Sequence, residues 1–219
     1  MTTHENISRL AAAMARLPLV AILRGLRPHE AVEIGHALQD AGFALIEVPL
    51  NSPEPFESIA AMRRALGPDT LVGAGTVLRV ADVQRLKDIG ADIVVTPHAD
   101  TTVIRAAKAA GLYCVPGVAT PTEAFAALEA GADALKLFPA ELVTHGVMKA
   151  MRAVLPAGVP LLPVGGIVPA SIAPWRRAGA SGFGLGSALY SPGADAATVA
   201  RNAADFVQAW RDSAAGASA

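Results

Sequence analysis

The sequence predicts an α/β fold: a (β/α)8 TIM barrel with an extra helix ahead of its first strand. Three observations carry this reading. Eight short apolar runs alternate with amphipathic stretches along the 219 residues. The runs are apolar throughout, as parallel strands covered on both faces should be. Many of the amphipathic stretches end in glycine just before the next run, where a residue free to turn left-handed ends a helix cheaply.

In chain order the runs are PLVAILRG (18–25), FALIEVPL (43–50), LVGAGTV (71–77), DIVVTP (92–97), YCVPGVA (113–119), ALKLFPA (134–140), LLPVGG (161–166) and FGLGSAL (183–189). Helical patterns lie between them, such as HEAVEIGHALQDAG (29–42) and TEAFAALEAG (122–131). The glycine endings are DAGF (40–43), DIGAD (88–92), KAAGL (108–112), EAGAD (129–133) and RAGAS (177–181). A helix is expected over 1–16, another over about 195–211, and a loose tail over 211–219. No linker or low-complexity segment divides the chain, so 1–219 reads as one domain. An open doubly wound sheet is the alternative, because periodicity does not show closure.

Composition narrows the function. The chain is 53% hydrophobic and 17% charged, with formal net charge −1. Nothing in that balance recommends a nucleic-acid or anionic-membrane partner. Cys114 is the one cysteine, so neither an intrachain disulfide nor a cysteine metal cluster is expected. The N-terminus lacks the basic region and apolar run of a signal peptide, and no apolar stretch approaches the ~20 residues of a membrane span. The expected setting is cytoplasmic.

In a barrel of this kind the active site lies at the C-terminal ends of the strands. Polar side chains in or just after the apolar runs are therefore the candidates: Arg24, Glu47, Thr76, His98 and Lys136. Of the four lysines, Lys87, Lys108 and Lys149 sit in helical patterns, whereas Lys136 sits between two leucines. Desolvation lowers a buried lysine's pKa, and the neutral amine can attack a ketone to form an imine. A buried ion pair, or a lysine whose head reaches solvent at a rim, is equally compatible. Glu47 in LIEVPL must pair, protonate or work. Strands two and six of an eight-stranded barrel face each other, so Glu47 and Lys136 are placed to meet at its centre. A carboxyl beside an amine suits proton shuttling in imine chemistry. A structural salt bridge to Lys136 or Arg24 is the plainer alternative.

Glycines close the last two runs, in VGGI (164–167) and GLGSA (184–188). Barrels often bind phosphate with these two loops, which makes Gly166, Gly186 and Ser187 candidates. Tight turns alone also need glycine. GAGT (73–76) lacks the full dinucleotide fingerprint. The five histidines form no ligand pattern, and no metal is expected.

The strings AILRG (21–25), IEVPLNSP (46–53), GAGTVL (73–78), ALKLFPAE (134–141) and PVGGI (163–167), in that order with TP (96–97) and PG (116–117), resemble the KDPG/KDPGal aldolases. These are Schiff-base aldolases of 2-keto-3-deoxy-6-phosphosugar acids. The resemblance spans about Leu17 to Tyr190. It implies that Lys136 forms the imine and Glu47 is the general acid/base. It gives Arg24 and Thr76 the keto-acid end of the substrate, and Gly166, Gly186 and Ser187 the phosphate. It implies pyruvate and D-glyceraldehyde 3-phosphate as products, no cofactor, and a homotrimer. Asn51 and Val164 stand where gluconate-type members have arginine and threonine, which leans towards the galactonate-type epimer; FPAE (138–141) leans the other way. The rivals are a phosphosugar epimerase or isomerase, a silent phosphate-binding barrel, and a metal-dependent aldolase.

Overall fold

The computed structural model describes residues 3–215. Helix α1 (Thr3–Arg16) precedes the first strand, and Met1 and Thr2 of the helix expected over 1–16 lie outside the described residues. Strands and helices then alternate: β1 (Leu19–Ile22), α2 (Pro28–Asp40), β2 (Leu45–Pro49), α3 (Pro55–Ala65), β3 (Leu71–Gly75), α4 (Val80–Asp88), β4 (Ile93–Val95) and α5 (Thr101–Ala109). The second half holds β5 (Tyr113–Val115), β6 (Gly117–Val118), α6 (Pro121–Glu129), β7 (Leu135–Leu137), α7 (His145–Val154), β8 (Leu161–Pro163), α8 (Ile172–Arg177), β9 (Phe183–Leu185) and α9 (Ala196–Ala215).

The strands form two parallel sheets. One has the order β5-β4-β3-β2-β1-β9 and the other β6-β7-β8. The fifth apolar run is thus two strands, not one. Pro116 stands between them, and proline has no N–H to give a ladder. Backbone bonds still leave both halves of the run: Asp133 N donates to Cys114 O and Lys136 N to Pro116 O, each at 2.9 Å. At the other side an isolated parallel bridge joins Val164 to Gly184.

Side-chain alternation sorts the strand residues into two layers. Ala21, Ile46, Val48, Val72, Val94, Cys114, Leu135 and Leu137 pack into the large core shared with the helices. Val20, Leu45, Leu71, Ile93, Tyr113 and Leu162 form a second, inner cluster. Leu10 and Ala13 of α1 belong to that inner cluster, so the helix closes its floor. The Leu10 amide also donates to the Tyr113 hydroxyl at 3.3 Å.

Helix starts follow local chemistry. Asp100 accepts from the Thr102 amide, and Thr120 with Glu123 makes a capping box ahead of α6. At the C-terminus the loose tail expected over 211–219 is corrected for residues 211–215 alone, which are helical. Helix α9 continues to Ala215, because the Ser213 hydroxyl donates to Trp210 O at 2.6 Å and accepts from Arg176 at 2.8 Å. Residues 216–219 lie outside the described residues.

Packing between strands leaves no room at Gly73, where a Cβ would meet the Ile93 carbonyl and approach its Cγ2 to 2.9 Å. At Gly186 a Cβ would meet nothing within 4 Å. Gly73→Ala should therefore cost about 1–3 kcal/mol or more. Gly186→Ala should stay within about 0.5 kcal/mol. Urea unfolding of both variants measures the contrast, and equal midpoints would refute this packing.

Candidate active site

The alternation that sorts the core also sets the chemistry. On β2, Leu45 faces the inner cluster and Ile46 and Val48 the outer core, so Glu47 faces inward. On β7, Leu135 and Leu137 both face outward, so Lys136 faces inward too. The two side chains share an apolar pocket with Val20, Ile22, Val95, Val115, Leu162 and Val164. Glu47 is 2% exposed and Lys136 7%.

Burial dominates both ionisations. It pushes the Glu47 carboxyl up from its ordinary 4.5 to about 7, against the opposing pull of Lys136, of Arg24 and of the Gly75 amide. Burial likewise pushes the Lys136 amine below its ordinary range, with Arg24 adding to the effect and Glu47 opposing it. Among the described residues the two form no direct ion pair. Glu47 Oε2 is buried without a hydrogen-bond partner. The Lys136 ammonium position lies 4.6 Å from the centre of the Phe138 ring. An amine that burial makes easier to deprotonate, beside a carboxyl that titrates near neutrality, can add to a carbonyl and move the protons.

Above the pair opens a cavity of about 400 Å³. Lys136 and Val164 line it, as do Arg24 and Asn51 from the first two βα turns and Gly166, Gly186 and Ser187 from the last two. The Arg24 guanidinium donates to Asn51 Oδ1 at 3.2 Å. Thr76 is not part of this lining. It follows β3 in a left-handed conformation, φ 54, which is costly for a branched residue. Among the described residues no group of His, Cys, Asp and Glu is arranged to hold a metal ion, and no helix is long and apolar enough to cross a membrane.

Several contributors were not singled out from the sequence. A Cβ on Gly75 would collide with the Glu47 carboxylate, so glycine there makes the space in which that carboxylate sits. Phe138, Tyr190, Ser191 and Pro192 also line the cavity. Gly75 lies two residues beyond Gly73 on the same face of β3, a spacing that was available to find it. No sequence pattern marks the 190–192 loop.

Residues 10–203 match the KDPG and KHG aldolase family. The chain belongs to that family. As a member it is an aldolase, a carbon–carbon lyase. It is 47% identical over 90% of its length, and 96% of the relative's, to the 2-dehydro-3-deoxy-6-phosphogalactonate aldolase of Escherichia coli K12. It is 35% identical to the 2-dehydro-3-deoxy-phosphogluconate aldolase of Treponema pallidum, over 71% of this chain and 73% of that one. A solved structure described as native KDPGal superimposes with TM-score 0.89 at 47% identity, covering 91% of this aldolase and 97% of that chain.

The raised carboxyl has a consequence for stability. Between pH 4.5 and about 7 folded Glu47 keeps a proton that the unfolded chain has released. Stability therefore falls as pH rises through that window. Glu47→Gln keeps the shape without the titration. Its stability relative to the parent should improve steadily across the window, read from denaturant midpoints. A difference independent of pH would contradict a raised Glu47.

Proposed function

We propose that this aldolase cleaves 2-dehydro-3-deoxy-6-phospho-D-galactonate to pyruvate and D-glyceraldehyde 3-phosphate through an imine on Lys136. The observation that carries the proposal is a desolvated lysine sharing an apolar pocket with a desolvated carboxyl that forms no direct ion pair with it. Neutral Lys136 adds to the C2 ketone, and loss of water gives the iminium. Glu47 takes the C4 hydroxyl proton as the C3–C4 bond breaks. The bond's electron pair flows into the iminium to give an enamine, and the phosphorylated aldehyde leaves. Protonation of the enamine and hydrolysis then free pyruvate and the lysine.

The polar groups along the cavity suit the two anionic ends of this substrate. Arg24, held by Asn51, is assigned the carboxylate end, and Gly166, Gly186 and Ser187 the phosphate. Thr76, which follows β3 outside that lining, is assigned to the same carboxylate end by the family resemblance. The galactonate-type epimer is favoured by 47% identity to an enzyme named for it against 35% to one named for the gluconate type.

A closed (β/α)8 barrel is part of the same proposal. The backbone bonds on both sides of Pro116 and the Val164–Gly184 bridge support treating the two sheets as one. A homotrimer in the cytoplasm goes with it. Leu142, 74% exposed, offers apolar surface to a partner subunit. A phosphorylated substrate is retained inside cells by its charge.

Incubation with pyruvate and borohydride should attach one pyruvate-derived group, which peptide mapping should place on Lys136. Lys136→Ala should lose the adduct, and Glu47→Gln should lose about 10²–10⁴-fold in kcat. An adduct on another lysine, or none, would sink the mechanism.

Val164 is 8% exposed and lines both the cavity and the apolar pocket below it. A threonine at this position offers a hydroxyl where valine offers none. One hydrogen bond is worth about 0.5–1.5 kcal/mol, so Val164→Thr should raise kcat/KM for the gluconate-type epimer, relative to the galactonate type, about 2–10-fold. Kinetics on both epimers decide the matter. An unchanged ratio together with lost stability would make Val164 a packing residue only.

A further inference from the structure

Arg24 is exposed at the cavity, yet its long side chain has to present its charge at one end of it. The local structure holds it in two places, both from the turn after β2. Asn51 Oδ1 accepts from the Arg24 guanidinium at 3.2 Å. The next residue, Ser52, accepts the Gly25 amide on its Oγ at 2.9 Å. Consecutive residues of one turn thus grip consecutive residues of the other, one by side chain and one by backbone.

The corner they grip is sharp. Gly25 has φ 84, and a Cβ there would come within 2.7 Å of Pro192 Cγ. The first βα turn is therefore wedged between Ser52 and the loop after β9. Ser52 is itself anchored, because its amide donates to Pro49 O at 2.9 Å, at the end of the strand that carries Glu47. Ser52 is 8% exposed and does not line the cavity. Its hydroxyl is engaged by the Gly25 amide, so its path to the chemistry runs through Gly25 to Arg24.

We propose that Ser52 is a positioning residue for Arg24: its hydroxyl fixes the Gly25 corner so that the guanidinium meets the keto-acid carboxylate. The proposal rests on the assignment of Arg24 to that carboxylate. It also gives the strand-two turn a double task, with Asn51 orienting the head of Arg24 and Ser52 its base. The competing role is purely structural, with Ser52 merely satisfying a half-buried amide.

The test uses pyruvate with borohydride as the probe, because pyruvate carries the carboxylate but no phosphate. The readouts are the pyruvate concentration giving half-maximal trapping and the maximal trapping rate. Ser52→Ala should raise the half-saturating concentration about 3–10-fold, as expected for one lost hydrogen bond, with the maximal rate unchanged. Ser52→Thr keeps the hydroxyl and should restore parental behaviour. In an Arg24→Ala background Ser52→Ala should add nothing, because both changes remove the same interaction. Inhibition by inorganic phosphate should be unaffected by either change.

The outcomes separate the two ideas. If Arg24→Ala leaves pyruvate saturation unchanged, the assignment of Arg24 fails and the proposal falls with it. If Arg24→Ala weakens pyruvate but Ser52→Ala does not, or if the two effects add in full, only the role of Ser52 is overturned. A lower melting temperature for Ser52→Ala with pyruvate saturation intact likewise leaves it a structural hydroxyl.

Discussion

Two ionisable side chains share an apolar interior without neutralising each other. Glu47 and Lys136 stand in one pocket walled by valines, leucine and isoleucine, with no direct ion pair between them and with Glu47 Oε2 unpartnered. Desolvation penalises the charged form of each, which pulls the two pKa values towards one another from opposite ends. A tight salt bridge would have reversed both shifts and fixed the pair as carboxylate and ammonium. The gap between them keeps the amine available and leaves the carboxyl near neutrality. It costs stability that the rest of the fold has to supply.

Much of the architecture can be understood as holding that gap. The strands on which the pair stands are locked on their outer faces into a core shared with the helices. The inner face is closed at the bottom by α1 through Leu10 and Ala13, away from the cavity. Gly75 removes the side chain that would otherwise occupy the place of the Glu47 carboxylate. A rigid surround of this kind is what preorganised chemistry requires, since groups held in place need not reorganise as charge moves.

The mouth of the cavity is built differently. Its polar residues come from turns rather than strand interiors: the exposed, charged Arg24 with Asn51 at one end, and the uncharged Gly166, Gly186 and Ser187 at the other. Turns are where binding residues can vary while the strands stay constant. Pro192, in the loop after the last strand, leaves no room for a side chain at Gly25, so the two loops pack closely at the cavity.

The sequence by itself determined the α/β alternation, the parallel strands and the charged residues within apolar runs. Those features are local: a run of valines and leucines, a glycine after a helix, or a lysine between leucines is legible without knowing its neighbours. It marked Lys136 and Glu47 for the same reason, and the alternation of a strand puts Lys136 on the face opposite Leu135 and Leu137. Only the tertiary structure decided that the two meet in one pocket without pairing, that Thr76 stays outside the cavity lining, and that Gly75, Ser52 and Pro192 shape the site. It also divided the fifth run at Pro116 and carried the last helix to Ala215, through a contact with Arg176 that lies 37 residues away in sequence. The physical reason is range. Periodicity reports which face of an element is apolar, whereas pKa values, close approaches and cavity walls are set by residues that only folding brings together.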